Sequence, residues 1–244
     1  MEHQELWFTA LFNDYLAGLG NAILSLVGMT AANPERPWEN WITMELLVVA
    51  LLMVLAAVVR SALSAEKPGK IQHIFEGVYG FIKYTAEEAG LHHPGRYVPY
   101  LGTLFIFILA MNLIGIIPTF ESPTMFAQVP AGIAIWTFLY YNFHGIRETG
   151  TGYAKHFIGP VLWLAPLMIV IEIIGHFARP LSLTMRLYGN MFGGEQVTLV
   201  FLGLTYVVIP ALFMGLHVFV SFVQAYVFTL LTTIYVSSAT AHEH

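Results

Sequence analysis

Five stretches of the chain are long and apolar enough to cross a bilayer, with polar segments between them. They run over 41–59, 97–118, 124–143, from 157 past 186, and over 197–238. A spanning helix needs about 20 apolar residues, so we predict about five membrane helices. The last stretch holds no Asp, Glu, Lys or Arg and, at ~1.5 Å per residue, exceeds one perpendicular span. Pro210 is where we expect it to bend or break.

The first 40 residues have a different pattern. Residues 6–30 are apolar but interrupted by Asp14, two glycines and Asn21, which is typical of an interfacial or extramembrane helix. No Lys or Arg precedes Arg36, which argues against an ordinary secretory signal peptide. We therefore divide the chain into an external or interfacial segment, 1–40, and a membrane domain, 41–244.

The positions of Lys and Arg predict the orientation of the chain. Basic residues are concentrated in segments 60–96 and 144–156, which the positive-inside rule places in the cytoplasm. The amino terminus and the turn at 119–123 then lie outside, and five spans place the carboxyl terminus in the cytoplasm. Segment 66–95 carries charges of both signs and is predicted to form a surface helix on the cytoplasmic side.

Composition excludes several other classes of protein. Charged residues make up 10 % of the chain and hydrophobic residues 57 %, too apolar for a water-soluble domain. The net charge of −5 offers no basic face for nucleic acid. Cysteine is absent, which excludes disulfides and cysteine-ligated metals. The predicted fold is an all-α polytopic membrane protein.

Ionisable side chains inside the apolar stretches are the candidates for function. A charge within the bilayer is costly and usually faces a protein interior or a water path. If the fourth stretch forms one helix, four polar side chains fall on a stripe less than a quarter-turn wide. They are Glu172, Arg179, Arg186 and Asn190.

The last apolar stretch also carries polar side chains on one helix face, but they are fewer. His217, Ser221 and Gln224 lie at i, i+4 and i+7, on one face of a helix. Glu195 follows the Gly193–Gly194 pair between the two lines. We expect the two helices to pack with their polar lines facing each other.

These residue types indicate a proton path with an electrostatic block. Histidine titrates near neutral pH, and carboxylates can also pass protons, whereas arginine keeps its charge. Two other interpretations remain open for the end of the stripe that carries Glu172 and Arg179. Arg179 can snorkel to the membrane interface, or Glu172 and Arg179 can form a structural ion pair. Arg186 lies far from the other basic clusters and has no such explanation.

Three motifs resemble the a subunit of bacterial F-type ATP synthases. The longest runs from Arg179 to Glu195, with the sequence RPLSLTMRLYGNMFGGE. The second runs over 111–118, MNLIGIIP, and the third begins at Gln224 with QAYVF.

The resemblance implies an ion-translocating stator subunit that has no active site or cofactor of its own. Its partners would be the c-subunit ring, the b-subunit peripheral stalk, the rest of the synthase and the bilayer of a bacterial plasma (inner) membrane. Two offset half-channels would carry ions to and from the ring carboxylate. The last two helices would form a long, tilted hairpin against the ring.

The resemblance also assigns roles to residues. Arg186 matches the essential arginine that separates the half-channels, and Glu172 would line the inner one. Asn112 and Glu121 are further candidates, the latter because this chain has Gly115 where some relatives carry an aspartate. The outer half-channel would be lined by Asn190, Glu195, His217 and Gln224.

Two other classes are weighed against this interpretation. A self-contained secondary transporter or channel often shows paired repeats, and none is visible. An intramembrane metalloprotease of the zincin type would need His-Glu-x-x-His, which does not occur, and a haem oxidase is the other enzyme considered. Whether the ion is a proton or sodium is left open by the sequence.

Overall fold

The computed structural model describes residues 5–26, 28, 30, 33–64, 68–91, 93–117, 119–150, 165–204 and 208–240. In these ranges every regular element is a helix. The α-helices are α1 (Trp7–Leu26), α2 (Asn40–Ser61), α3 (Lys70–Glu88), α4 (Pro94–Ile114), α5 (Gln128–Thr149), α6 (Ala165–Leu204) and α7 (Val208–Thr240). A 3-10 turn, Pro123–Met125, precedes α5.

Some sequence predictions fall outside these ranges. Lys67 and Lys155, the end of the 144–156 segment and the last four residues are among the positions that the structure does not describe. Within the described part of that segment, α5 continues to Thr149, so 144–149 are helical.

Four helices are long and apolar enough to cross a membrane. They are α2, α4, residues 166–201 of α6 and residues 211–240 of α7. The predicted polytopic, all-helical fold is therefore confirmed. Helix α5 forms where the third span was predicted, but it is less apolar, since its second half carries Asn142, His144 and Arg147. Its crossing of the membrane stays a prediction.

Helix α4 lies at the centre of the bundle. It contacts α2, α3 and α7, while α5 packs against α6 and α7. Buried side chains recur along α4 at the three- and four-residue spacing of a helix, for example Leu101, Phe105, Ile108 and Met111. This stripe joins the other helices into one core.

The two terminal helices form a hairpin. Phe201 stacks on Phe213 at 4.6 Å between ring centroids. Farther along, the Arg179 guanidinium lies 5.4 Å from the centroid of the Tyr235 ring. These contacts require α6 and α7 to run antiparallel. At ~1.5 Å per residue the helices are about 60 and 50 Å long, well beyond the ~30 Å hydrocarbon core.

Pro180 and Pro210 both occupy helical positions within the hairpin. Helix α6 is continuous through Pro180. Pro210 lies in the first turn of α7, where its missing N–H would have no partner within the helix. The predicted interruption thus falls at the start of α7.

Helix α1 packs against the start of α2. The hydroxyls of Thr9 and Thr43 are 2.7 Å apart. The Asn13 side chain donates to the Trp38 carbonyl at 3.1 Å and accepts from the Trp38 N–H at 3.0 Å. These contacts fix the amino-terminal helix to the bundle, while its interfacial position stays a prediction.

Helix α3 forms within the predicted surface segment. Most of its side chains are exposed, and Ile82, Thr85 and Ala86 are buried. It contacts α4 and α7. This one-sided burial is what an amphipathic surface helix requires.

Candidate functional site

Arg186 lies at the border between the packed and the open face of α6. Leu183 and Leu187, on one side of it, are 2 % and 1 % exposed. Leu181 and Met185, on the other side, are 58 % and 60 % exposed. The Arg186 side chain is half-buried. It can therefore reach both the hairpin interior and whatever covers the open face.

Arg186 has no carboxylate partner among the described residues. Arg179 pairs with Glu172 and Arg96 with Glu148 within the same part of the chain. A half-buried guanidinium within an apolar helix is expensive unless an anion meets it. The guanidinium is therefore available to an anionic group from outside the described residues.

A cavity opens beside Glu195 and His217. It holds about 450 Å³ and lies between α6, α7 and the chain that follows α4. Its polar lining includes Thr119 and Thr198. The turn at 119–123, predicted to lie outside, therefore borders this cavity, which we call the outer cavity.

A second, smaller cavity continues from His217 along α6. It holds about 280 Å³ and is lined by Asn190, Gly193, Gly194 and residues of α7. His217 borders both cavities. Its Nε2 atom is buried and has no hydrogen-bond partner in the described ranges. The ring thus borders both spaces, and the backbone of Asn112 lies within hydrogen-bonding reach of it.

Glu121 lies near the outer cavity. It accepts a hydrogen bond from the Asn40 side chain at 3.3 Å and interacts electrostatically with Glu195. Gly115 packs against Ser122 so closely that a Cβ would lie 2.8 Å from the Ser122 Cβ. No carboxylate side chain fits at 115 in this backbone, so the acidic group that residues 115–123 contribute beside Glu195 is Glu121.

Asn112 is fully buried, and both the oxygen and the nitrogen of its side-chain amide are hydrogen-bonded. Its Oδ1 accepts from the Thr124 hydroxyl at 2.7 Å, and its Nδ2 is 3.4 Å from the Ser221 carbonyl. Ser122 extends this network to Thr124 at 2.8 Å and to the Met111 carbonyl at 2.9 Å. Asn112 therefore joins α4, the 3-10 turn and α7, and these contacts favour a positioning role.

Gln224 is half-buried and lies outside both cavities. The antiparallel register places it opposite the turn of α6 between Arg186 and Asn190. Ser221, on the same face, is fully buried, and its hydroxyl has no partner within the described chain. Of the two predicted polar lines, Asn190 and His217 border one cavity together, and the facing of the other members stays a prediction.

Glu172 and Arg179 form the ion pair that the sequence left open, with 3.3 Å between Arg179 Nη2 and Glu172 Oε1. Both side chains remain about one-quarter exposed. The nearby His176 Nε2 lies 2.9 Å from Asn142 Oδ1. The inner end of the stripe is thus a partnered cluster, in contrast to Arg186.

Several site residues were not singled out from the sequence. Thr198 lies one turn beyond Glu195 on the same face, so helical spacing could have found it. Asn40 and Asn142 contact Glu121 and His176 only through tertiary packing, across large sequence separations. No local pattern signals such pairs.

The fold and this line of groups define a class: a polytopic helical membrane protein with cavities along a long hairpin, bordered by a few polar side chains. A sequence model of the family described as "ATP synthase A chain" matches residues 42–237. The chain belongs to this family.

Curated relatives agree with this assignment. The ATP synthase subunit a of Solibacter usitatus is 58 % identical over 96 % of this chain and 100 % of its own length. That of Koribacter versatilis is 50 % identical over the whole of both chains. The ATP synthase subunit a 3 of Pelobacter propionicus is 44 % identical over 96 % of this chain and 98 % of its own.

Proposed function

We propose that this chain is the membrane-sector stator subunit that conducts protons through an F-type ATP synthase. It is not an enzyme by itself, since ATP is made or hydrolysed elsewhere in the complex. Its task is to deliver protons to a carboxylate of the c-subunit ring and to receive them after rotation. Family membership supports the role as a membrane subunit of an ATP synthase. The geometry of the site supports the proposed proton path.

The observation that carries the proposal is a pair of cavities that meet at His217 and stop near Arg186. Asn190, at the end of the smaller cavity, lies four residues beyond Arg186. That separation is about 6 Å along the helix. A proton brought to this point would meet a fixed positive charge rather than a continuous path.

The outer half-channel begins at the outer cavity in this proposal. Glu121 and Glu195 attract the proton, His217 passes it between the two cavities, and Asn190 orients it toward the ring. Gln224 lines the same turn from α7. Histidine and carboxylates suit this task because both can gain and lose protons near neutral pH when their surroundings are tuned.

Arg186 acts as the electrostatic divider. Its guanidinium stays protonated, so it cannot relay a proton, but it stabilises the ionised form of an approaching carboxylate. A ring carboxylate would release its proton to the inner half-channel, which Glu172 lines, before it passes Arg186. Reprotonation would follow on the outer side.

The open face of α6 is the surface proposed to meet the ring. Leu181 and Met185 are exposed there, and a Cβ at Gly189 would meet no atom within 4 Å. A smooth apolar surface with small residues permits close sliding contact. The b-subunit peripheral stalk is the second partner, proposed from the resemblance.

The proposed orientation places the amino terminus outside and the carboxyl terminus in the cytoplasm of a bacterial plasma membrane. Exposed Arg60 and Arg147, at the ends of α2 and α5, lie on the cytoplasmic side in this arrangement. The outer cavity then opens to the periplasmic side.

ATP-driven proton pumping by membrane vesicles tests the proposal. Arg186→Ala should abolish pumping while the complex still assembles, because the half-channels lose their divider. Arg147→Ala, at an exposed helix end, is the matched control and should pump normally. Normal pumping by the Arg186 variant would overturn the proposal. Transport by the purified chain alone in liposomes would instead indicate a self-contained channel or carrier.

A further inference from the structure

Glu45 lies in the wall of a cavity that is separate from the ion path. The cavity holds about 580 Å³ and lies between α2, α4 and α5. This volume is in the range of sites that bind small organic molecules. Trp136, in its wall, is 64 % exposed, so the cavity opens on the outer surface of the bundle.

The cavity extends inward from the end of the bundle that carries the 119–123 turn. Its lining includes Trp41, the second residue of α2, and Gln128, the first residue of α5. It reaches Trp136, eight residues farther along α5, a distance of about 12 Å. A ligand would therefore enter from the membrane interface and extend toward the hydrocarbon.

The Glu45 side chain is the carboxylate of this lining. It is half-buried, and no residue of the described ranges forms an ion pair or hydrogen bond with it. A carboxylate at this depth is costly unless a proton or a cation accompanies it. An apolar lipid chain would fill the cavity without meeting that requirement.

Aromatic rings line the same cavity as the carboxylate, and two of them are held in place by neighbouring side chains. The Trp41 indole N–H donates to Glu39 at 2.7 Å, which leaves the ring faces available. The Tyr100 ring stacks on Tyr140 at 3.7 Å between centroids. Aromatic faces attract cations, and rings already held in position lose little freedom on binding.

The walls also lack opposing charge. The sequence has no Lys or Arg from residue 97 to residue 146, which covers the α4 and α5 linings. Glu39, bonded to Trp41, adds a second negative group near the outer end. The local charge therefore favours a cation over an anion or a neutral molecule.

We propose that this cavity binds a lipophilic organic cation. An ammonium group would lie against Glu45 and the tryptophan faces, and its alkyl or aromatic body would lie along Phe107. The site is independent of the proton path, since none of its lining residues borders the two cavities at His217.

Photolabelling of the whole complex in lipid nanodiscs tests this proposal. The probe is dodecyltrimethylammonium with a diazirine in its alkyl chain. Labelling of α2, α4 and α5 should saturate, and unlabelled dodecyltrimethylammonium should compete for it. Equal concentrations of 1-dodecanol or dodecyl sulfate should not compete, because they lack the cation.

Variants locate the contribution of each group. Glu45→Gln keeps the shape of the side chain and should weaken probe binding at least about tenfold. Trp136→Leu, at an exposed position that tolerates substitution, should weaken it several-fold. Glu35→Gln, at an exposed acidic position outside the cavity, is the control and should bind as the parent chain does.

Three outcomes would overturn the proposal. The first is competition by 1-dodecanol equal to that of the ammonium compound. The second is unchanged affinity in Glu45→Gln together with Trp136→Leu. The third is labelling spread evenly over the membrane helices, or absent from α2, α4 and α5 in the assembled complex.

Discussion

Gly194 and His217 face each other across the hairpin, and the glycine leaves the space in which the imidazole lies. A Cβ at position 194 would be 3.4 Å from His217 Nδ1, in van der Waals contact with the ring. The same histidine borders both cavities. A residue without a side chain at 194 therefore sets how freely the ring can turn between them.

Enlarging position 194 should impair proton movement without unfolding the helix. Gly194→Val is expected to reduce ATP-driven pumping several-fold, because its methyl groups would enter the space beside the imidazole. Helix α6 itself should not suffer, since valine is a slightly better helix former than glycine, by roughly a few tenths of a kcal/mol. Gly203→Val, where a Cβ meets no atom within 4 Å, is the control. Equal pumping by the two variants would contradict a role for this contact.

Thiol labelling should report which positions are accessible to water, and from which side of the membrane. The chain has no cysteine, so single-cysteine variants need no background removal. A membrane-impermeant maleimide added outside should label Thr198→Cys, which lines the outer cavity, and spare Ile234→Cys near the other end of α7. Ser64→Cys should react only when the reagent is inside. The reverse pattern would invert the proposed topology.

Replacement of Asn112 should destabilise the bundle. Asn112→Leu removes the acceptor of the buried Thr124 hydroxyl and the donor to the Ser221 carbonyl, and the loss of such buried bonds costs about 1–3 kcal/mol of unfolding free energy. Thermal unfolding of the detergent-solubilised chain measures this effect, with exposed Asn33→Leu as the control. If pumping fell while the unfolding temperature stayed unchanged, Asn112 would be a group of the ion path instead.

A double variant should separate the two interpretations of Glu172. We expect Glu172→Gln to slow pumping, and Arg179→Gln added to it not to restore the rate, because the carboxylate itself serves the inner half-channel. The Glu148 and Arg96 pair, 2.6 Å apart, offers a matched cycle away from the path. Recovery in the Glu172/Arg179 double variant would show that the ion pair is only structural.

The helices and the polar stripe could be predicted from local features of the chain, namely helical periodicity and apolar length. The 3.6-residue period placed Glu172, Arg179 and Arg186 on one stripe, and the structure has them on one continuous helix. Apolar length predicted the spans, and four are found. Helix α5 was harder to predict as a membrane span. Polar residues in its second half lower its hydropathy, although it remains a full-length helix.

Contacts between residues that are far apart in the sequence could not be predicted from local features. The sequence left the Glu172–Arg179 pair as one of two alternatives, and the rotamers that bring the atoms to 3.3 Å depend on the packing of neighbouring helices. Asn112 was a candidate for the ion path, and the structure shows bonds to Thr124 and Ser221 on separate elements. Periodicity ranks the faces of one helix but carries no information on which atoms of another helix meet them.

The sequence by itself determined that this is a helical membrane protein with a charged line in its longest helix, because scarce charges and helical spacing are local properties. The tertiary structure decided what each charge meets. It left Arg186 at the edge of an open face without a carboxylate in the described chain, paired Arg179 with Glu172, and set His217 between two cavities. Burial and pairing depend on packing between distant segments, and only the assembled bundle fixes that packing.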